Sequence, residues 1–195
     1  MDTVNRLKKE MTEGIVRALL EDAGYRVIDS GIEKVLRELT CLTAEEYIHL
    51  QFPTAMRQLP DFVVMDRNQS IKFLVEVKYR KNWENCILTE IQDQVMKYKE
   101  MVLVVVNANP EDLPGKARTG PSPSSYLRCC RLRLRDECYE LETNYKKWIL
   151  IEKLESDPNV WWKLSPLQNV FELLKKTDRK TTTPAMQALE GILER

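Results

Sequence analysis

Apolar side chains recur at helical spacing along the first twenty-two residues: Val4, Leu7, Met11, Ile15, Ala18 and Leu19. The pattern predicts an amphipathic helix over residues 3–22. Gly24 follows the helix, and residues 25–28 predict a short strand. Residues 31–50 predict a helix in two pieces, the second with Thr43 as its N-cap. The chain therefore opens with alternating helix and strand signals.

Two apolar runs around a polar turn follow, in the stretch LPDFVVMDRNQSIKFLVEVKYRK. Phe62–Met65 and Ile71–Val77 predict the strands of a hairpin, with DRNQS as its turn. Side chains alternate between the two faces of a strand, so Glu76 and Lys78 share the face opposite the apolar one. Asp61 begins the first strand. Antiparallel pairing is therefore expected to bring the carboxylates of Asp61 and Glu76 together.

A helix, a buried strand and a loop come next. Ile87–Glu100 predicts the helix, and the fully apolar run Met101–Val106 predicts the strand. Asn107–Ser125 contains four prolines and two glycines, so it predicts a loop. The order up to this loop is α-β-(α)-β-β-α-β, where the bracketed helix is the one predicted over 31–50. It predicts an α/β fold with a central mixed sheet flanked by helices.

The last third of the chain predicts further strands and helices. Arg128–Arg135 alternates arginine with apolar residues, which indicates either a strand with one basic face or an exposed strand edge. Trp148–Leu154 predicts another strand. Residues 166–176 and 184–194 each predict a helix. We expect this part to extend the core with strands and helices rather than to form a separate domain.

Length and composition restrict the class of protein. A chain of 195 residues fits one compact domain, with residues 1–106 as the core and 107–195 as a loop and C-terminal extension packed on it. Hydrophobic residues make up 43% and charged residues 31%, as in soluble globular proteins. No apolar run reaches the roughly 18 residues of a membrane span. The first residues have no apolar signal core, so we expect a cytoplasmic protein.

Charge and cysteine usage set two further limits. The 30 Lys and Arg residues balance the 30 Asp and Glu residues, so a polyanion would have to be bound by local patches. The five cysteines are irregularly spaced, and in a chain without an export signal they are expected to be free thiols.

The polar face of the hairpin has the chemistry of a metal site. Asp61 and Glu76 would provide hard oxygen ligands, and Mg²⁺ or Mn²⁺ commonly binds one or two carboxylates together with water and substrate phosphate. A protonated Lys78 cannot be a ligand, but it can orient or deprotonate water or neutralise developing charge. These groups suit the metal-assisted hydrolysis of a phosphodiester.

The same residues resemble the PD-(D/E)XK nuclease superfamily. Pro60-Asp61 is followed, fifteen residues after the aspartate, by Glu76-Val77-Lys78. The stretch EGIVRALLEDAGYRV is similar to the family's opening helix and strand, with Glu13 as the matching acid. Gln94-Val95-Met96-Lys97-Tyr98 resembles the Q-x-x-x-Y helix of the RecB-like and lambda-exonuclease-like branches. The resemblance covers residues 10–106.

The resemblance implies a restriction-endonuclease-like core and a nuclease dependent on Mg²⁺ or Mn²⁺. The implied metal site consists of Asp61, Glu76, the backbone carbonyl of Val77 and Glu13. Glu13 would order a metal-bound water or a second ion, and Glu10 is the alternative acid on the same helix. Lys78 is implied to position the nucleophile. Gln94 and Tyr98 share a helix face and are also implied as catalytic.

DNA is the expected substrate, with RNA as the less favoured one. Arg80 and Lys81 lie just beyond the catalytic face and are candidates for binding phosphates. A second candidate is the basic set Arg128, Arg131, Arg133 and Arg135, which suits a phosphate track if it is a strand face. A homodimer is expected, because cutting both strands needs two sites. The alternative is a non-catalytic subunit that binds nucleic acid or protein on a nuclease-like scaffold.

Overall fold

A mixed sheet of eight strands forms the centre of the computed structural model, which describes residues 3–36, 42, 44–108 and 123–176. The strands are β1 (Arg26–Asp29), β2 (Phe62–Met65), β3 (Lys72–Arg80), β4 (Glu100–Asn107), β5 (Leu127–Arg135), β6 (Cys138–Glu142), β7 (Trp148–Leu150) and β8 (Ser165–Pro166). Strands β1 to β7 lie side by side in chain order, and β8 pairs with β5. The β3–β4 pair is parallel, and the other pairs are antiparallel.

Eight α-helices flank the sheet in the described part of the chain. They are α1 (Thr3–Asp22), α2 (Ile32–Val35), α3 (Ala44–His49), α4 (Thr54–Arg57), α5 (Cys86–Glu90), α6 (Gln92–Tyr98), α7 (Pro123–Tyr126) and α8 (Val160–Lys163). Helices α5 and α6 form the connection that parallel neighbours such as β3 and β4 require. The predicted α/β class, with a mixed sheet between helices, is therefore confirmed. No helix among the described residues is long and apolar enough to cross a membrane.

The sheet separates two hydrophobic cores. The first core lies between α1 and one face of the sheet, where Val16 and Leu20 pack against Val75 and Val77. The second core covers the other face, where α5, α6 and α8 pack on the alternate side chains of β4 and β5. Every side chain from Met101 to Val106 is buried, because β4 is covered on both faces. The site described below lies where β3 runs between these two layers.

The N-terminal half follows the predicted pattern closely. The predicted helix over 3–22 is α1, and the two pieces predicted within 31–50 correspond to α2 and α3. Thr43 lies outside the described residues. The hairpin is present as β2 and β3, and its turn is held by Asp66, whose Oδ1 accepts a hydrogen bond from the Ile71 N–H at 3.0 Å. The helix predicted over 87–100 divides at Ile91, where φ is −101° and ψ is 3°.

The C-terminal part differs from the prediction in four ways. Strand β6 was not predicted. The strand over 148–154 ends at Leu150 and continues as a 3-10 turn. Residues 166–176 do not form one α-helix: they begin in β8 and continue as two 3-10 segments. Strand β5 is not an exposed edge, because β4 pairs along one side and β6 and β8 along the other. The helix predicted over 184–194 lies outside the described residues.

Candidate active site

The start of β2 holds Asp61 against β3. The strand register pairs Phe62 with Val75, and its continuation brings Asp61 opposite Glu76. The Val77 N–H donates a hydrogen bond to Asp61 Oδ2 at 2.8 Å. The Asp61 carbonyl accepts a further bond, from the Ser30 N–H at 3.0 Å, so main chain and side chain are both fixed. This carboxylate is positioned by backbone geometry and not by a flexible loop.

Alternation along β3 separates the polar groups from the first core. Val77 is buried in that core, whereas Glu76 and Lys78 pair with Leu103 and Val105 on the opposite face. Glu76 is 5% exposed. Its Oε1 lies 2.5 Å from Lys78 Nζ, as the sequence pattern predicted for two groups on one face. Glu76 is therefore a buried carboxylate with an ammonium beside it.

Helix α1 contributes a third carboxylate. Glu13 is 2% exposed, and its Oε2 lies 3.0 Å from Lys34 Nζ. Its Oε1 is buried without a hydrogen-bond donor and lies 3.9 Å from Lys9 Nζ. The competing acid Glu10 is exposed and pairs with Arg6 on the helix surface. Of the two acids considered from the sequence, it is Glu13 that faces the site.

These carboxylates border one cavity of about 360 Å³. The side chains that line it and matter for its charge are Lys9, Glu13, Lys34, Arg57, Asp61, Glu76, Lys78, Glu90, Asp93 and Gln94. They come from α1, α2, α4, the start of β2, β3, α5 and α6. The cavity is therefore assembled from segments that are distant in sequence, and its volume falls in the range of ligand-binding pockets.

The electrostatics of the cavity act most strongly on Asp61. Burial raises the pKa of its carboxyl to about 8, and the negative charges of Glu76 and Glu13 add to the rise. The hydrogen bond from the Val77 N–H and the positive charge of Lys78 act in the opposite direction. Three carboxylates in one buried place repel one another, so a cation between them would relieve the repulsion and lower this pKa.

The donor set fits a hard divalent cation. No three His, Cys, Asp or Glu side chains within residues 3–36, 42, 44–108 and 123–176 are close enough to form a complete ligand set by themselves. Mg²⁺ and Mn²⁺ do not need one, since two carboxylates with water and substrate phosphate are a common set. Asp61 and Glu76 could provide these carboxylates. The Val77 N–H points towards Asp61, and the carbonyl of the same residue in a strand lies on the same side.

Gln94 and Tyr98 lie in different environments. Gln94 Nε2 donates to Glu76 Oε2 at 3.2 Å and lies 3.5 Å from the Gln58 carbonyl oxygen, so it orients the carboxylate. Tyr98 does not line the cavity. It packs against the second core, and Lys97 lies 5.6 Å from the centre of its ring. The two residues share a helix face, but four residues correspond to about 6 Å along the axis, which takes Tyr98 away from the cavity.

The cations expected to bind phosphate beyond β3 also differ from each other. Arg80 is half-buried and forms an ion pair with Glu90, which lines the cavity. Its Nη1 also donates to the Tyr79 carbonyl at 3.0 Å. Lys81 is exposed at the end of the strand. Arg80 is thus held by protein groups, whereas Lys81 is accessible to a ligand.

The arginines of β5 do not form one basic face. Arg128 projects from the face of the second core. It is 9% exposed, lies 4.6 Å from the Trp162 ring and donates to the Leu164 carbonyl at 2.7 Å. Side chains alternate between the two faces of a strand, so Arg128 lies on the opposite face from Arg131, Arg133 and Arg135. The prediction of one basic face depended on arginine at every second position, which holds only from Arg131 to Arg135.

Those three arginines occupy the opposite face of the sheet from Glu76. Arg131 pairs with Val102, whose side chain belongs to the first core, while Glu76 pairs with Leu103 of the second. Arg131 forms ion pairs with Glu100 and Glu142. The others also have acidic partners: Glu140 for Arg133 at 2.8 Å and Asp136 for Arg135 at 3.5 Å. The structure does not bring this set to the cavity.

Three cavity cations were missed from the sequence: Lys9, Lys34 and Arg57. No motif marks them, since their common property is a position in the folded chain.

The cysteines of β5 behave as expected for thiols. Cys129 and Cys130 are free and buried in different cores, and burial raises the pKa of both.

Comparison with known proteins gives no match: no family model, no curated protein and no solved structure matches the chain.

Proposed function

We propose that this protein is a divalent-metal-dependent nuclease that hydrolyses phosphodiester bonds, with DNA as its substrate. The observation that carries the proposal is the grouping of Asp61, Glu76 and Glu13 around one cavity with Lys78 beside them. Groups of buried carboxylates with a raised pKa in a cleft are concentrated at functional sites. The resemblance of the same residues to PD-(D/E)XK nucleases supports the same activity.

Each side chain has a distinct task in this proposal. Asp61 and Glu76, with the Val77 carbonyl, hold the ion, and when bound, Mg²⁺ or Mn²⁺ supplies positive charge for attack on the phosphodiester. Lys78 holds the attacking water and gives positive charge to the phosphoryl oxygens. Glu13, whose Oε1 is buried without a hydrogen-bond donor, orders a water or a second ion in the cavity. Gln94 is a positioning residue, because it acts by holding Glu76.

A restriction-endonuclease-like core is part of the proposal. Its support is the order α1, β1, β2, β3, α5 with α6, and β4, with the short helices α2, α3 and α4 inserted between β1 and β2. In this order an antiparallel hairpin precedes a parallel crossover. We also propose a cytoplasmic location and a homodimer. A two-fold dimer would present two sites to the two strands of a duplex.

The test is a cleavage assay on linear, circular, nicked and branched DNA and on RNA, with Mg²⁺, with Mn²⁺ and with chelator. We expect metal-dependent cleavage of DNA that is lost in Asp61→Asn and Glu76→Gln. Asp93→Asn is the matched control, because Asp93 lines the same cavity but is exposed on α6. Cleavage that persists in both site variants, or that is absent from the parent on every substrate, would favour the non-catalytic binding subunit.

A further inference from the structure

Charged side chains of both signs line the cavity. The basic wall is the name used here for Lys9 from α1, Lys34 from α2 and Arg57 from α4. The acidic wall is the name used for Glu90 from α5 and Asp93 from α6. The candidate metal ligands Asp61 and Glu76 line the same cavity. An anionic chain that reaches the site is therefore attracted by the basic wall and repelled by the acidic wall.

The cations of the basic wall are accessible to a ligand. Arg57 is exposed, and the side chains of Lys9 and Lys34 are 35% and 37% exposed. Both lysines are paired with Glu13, and Arg57 adds a third positive charge to the wall. On the acidic wall Glu90 is already paired with Arg80. Asp93 is exposed at the first turn of α6 and adds negative charge there.

We infer that the basic wall binds the phosphate backbone of DNA, so that the substrate strand approaches the carboxylates from the side of α1, α2 and α4. This inference rests on the proposed function. Lysine and arginine side chains that contact phosphates supply affinity and orientation without reading sequence. Lys34, which lies on Glu13 in the free protein, moves to a phosphate oxygen when the strand is present.

The other cations considered from the sequence are less suited to this task. Arg131 and Arg133 do not line the cavity and have acidic partners. Arg128 is buried between a tryptophan ring and a backbone carbonyl. Arg80 is paired with an acid of the acidic wall. Lys81 is exposed but does not line the cavity. Among these candidates in the described part of the chain, the basic wall is therefore the accessible positive surface that lines the cavity with the carboxylates.

The experiment is a salt titration of DNA binding by fluorescence anisotropy. The protein is titrated into a labelled duplex and, separately, into the single strand of the same sequence. The buffers contain Ca²⁺ in place of Mg²⁺, and the DNA is checked for cleavage afterwards. The test variant is Lys34→Met with Arg57→Met. The matched control is Arg135→Met with Lys147→Met, two exposed cations distant from the cavity. Thermal melting confirms that each variant is folded.

Two lost phosphate contacts should lower the slope of log affinity against log salt by about 1.8 on duplex DNA, which corresponds to roughly 30-fold weaker binding at 0.15 M salt. The control pair should stay within about twofold of the parent. Asp93→Asn should change affinity in the opposite direction, making binding about twofold tighter, because it removes negative charge from the acidic wall.

The outcomes separate this inference from the proposed function. A parent that binds DNA, together with a test variant of unchanged slope, overturns the inference and leaves the nuclease proposal to the cleavage assay. Loss of slope in the control pair alone places the DNA away from the cavity and also overturns it. A parent that binds RNA and not DNA, or neither, overturns it as well. If the test variant loses slope on DNA and the control pair does not, the inference stands.

Discussion

Metal binding to this site should release a proton, because the Asp61 carboxyl has a pKa raised to about 8 by burial and by Glu76 and Glu13. A cation binds the carboxylate form, so the proton present on the free protein must leave. At pH 7 a group with a pKa of about 8 is about 90% protonated, and at pH 9 about 10%. We therefore expect about 0.9 proton released per ion at pH 7 and about 0.1 at pH 9. The apparent affinity should fall nearly tenfold per unit below pH 7.

Isothermal titration calorimetry with Mn²⁺ in two buffers of different ionisation enthalpy measures this number directly. Asp61→Asn should abolish the proton release at pH 7 and weaken binding. Asp93→Asn is the matched control and should keep the release near 0.9 per ion. A release below about 0.3 per ion in the parent at pH 7, with binding intact, would refute the reasoning, because Asp61 would then be ionised in the free protein.

The same raised pKa has an effect on the stability of the metal-free protein. The folded state holds a proton on Asp61 more tightly than the unfolded state, in which the pKa is near 3.8. The free energy of unfolding therefore falls as pH rises from about 4 to about 8. The folded and unfolded pKa values differ by about four units, and at about 1.4 kcal/mol per unit the loss of stability has an upper bound of about 6 kcal/mol. We expect the loss of unfolding free energy to be about 2–3 kcal/mol, since water and Lys78 can rearrange around the charge. Urea unfolding of the parent and of Asp61→Asn at pH 5 and 8.5 tests this.

Three further predictions concern single side chains. Lys78→Met should lower the single-turnover cleavage rate by about 10²–10⁴-fold with DNA affinity within a few-fold, and a variant that cuts like the parent would contradict its role. Gln94→Ala should weaken Mn²⁺ binding by about tenfold in calorimetry, whereas Tyr98→Phe should stay within twofold; equal losses would contradict the positioning argument. Arg128→Lys should cost about 2–3 kcal/mol in urea unfolding, because a stacked, hydrogen-bonded guanidinium is lost. Arg135→Lys should stay within about 0.5 kcal/mol, and equal values would refute the structural role of Arg128.

The hairpin could be predicted from the sequence because it depends on local rules. Alternation along β3 put Glu76 and Lys78 on one face, and the short turn fixed which residues of β2 they meet. The basic wall could not be predicted in this way. Lys34 and Arg57 reach the cavity through the packing of α2 and α4, and no spacing in the sequence records that contact.

The C-terminal part was predicted less well because its patterns have two structural solutions. Leu167, Val170, Phe171 and Leu174 recur at helical spacing, yet Leu167 and Leu174 lie in two separate 3-10 segments, and Val170 and Phe171 lie between them. All four are buried in the first core, so the apolar positions were right and the local structure was wrong. Strand β6 was missed although Tyr139 and Leu141 alternate with Glu140 and Glu142, because five residues are a short signal next to the longer run of β5.

Because β5 is an interior strand of the sheet, the chain cannot be divided between β4 and β5 without exposing a strand edge. A chain ended after Ala108 would contain every candidate metal ligand, but β4 would become the last strand of its sheet. That strand is apolar on both faces, and its free edge would offer unpaired N–H and C=O groups to any other strand. Such a fragment is expected to aggregate rather than act as a minimal enzyme. We therefore expect the candidate site residues and strands β5 to β8 to be inherited, fused or transplanted together.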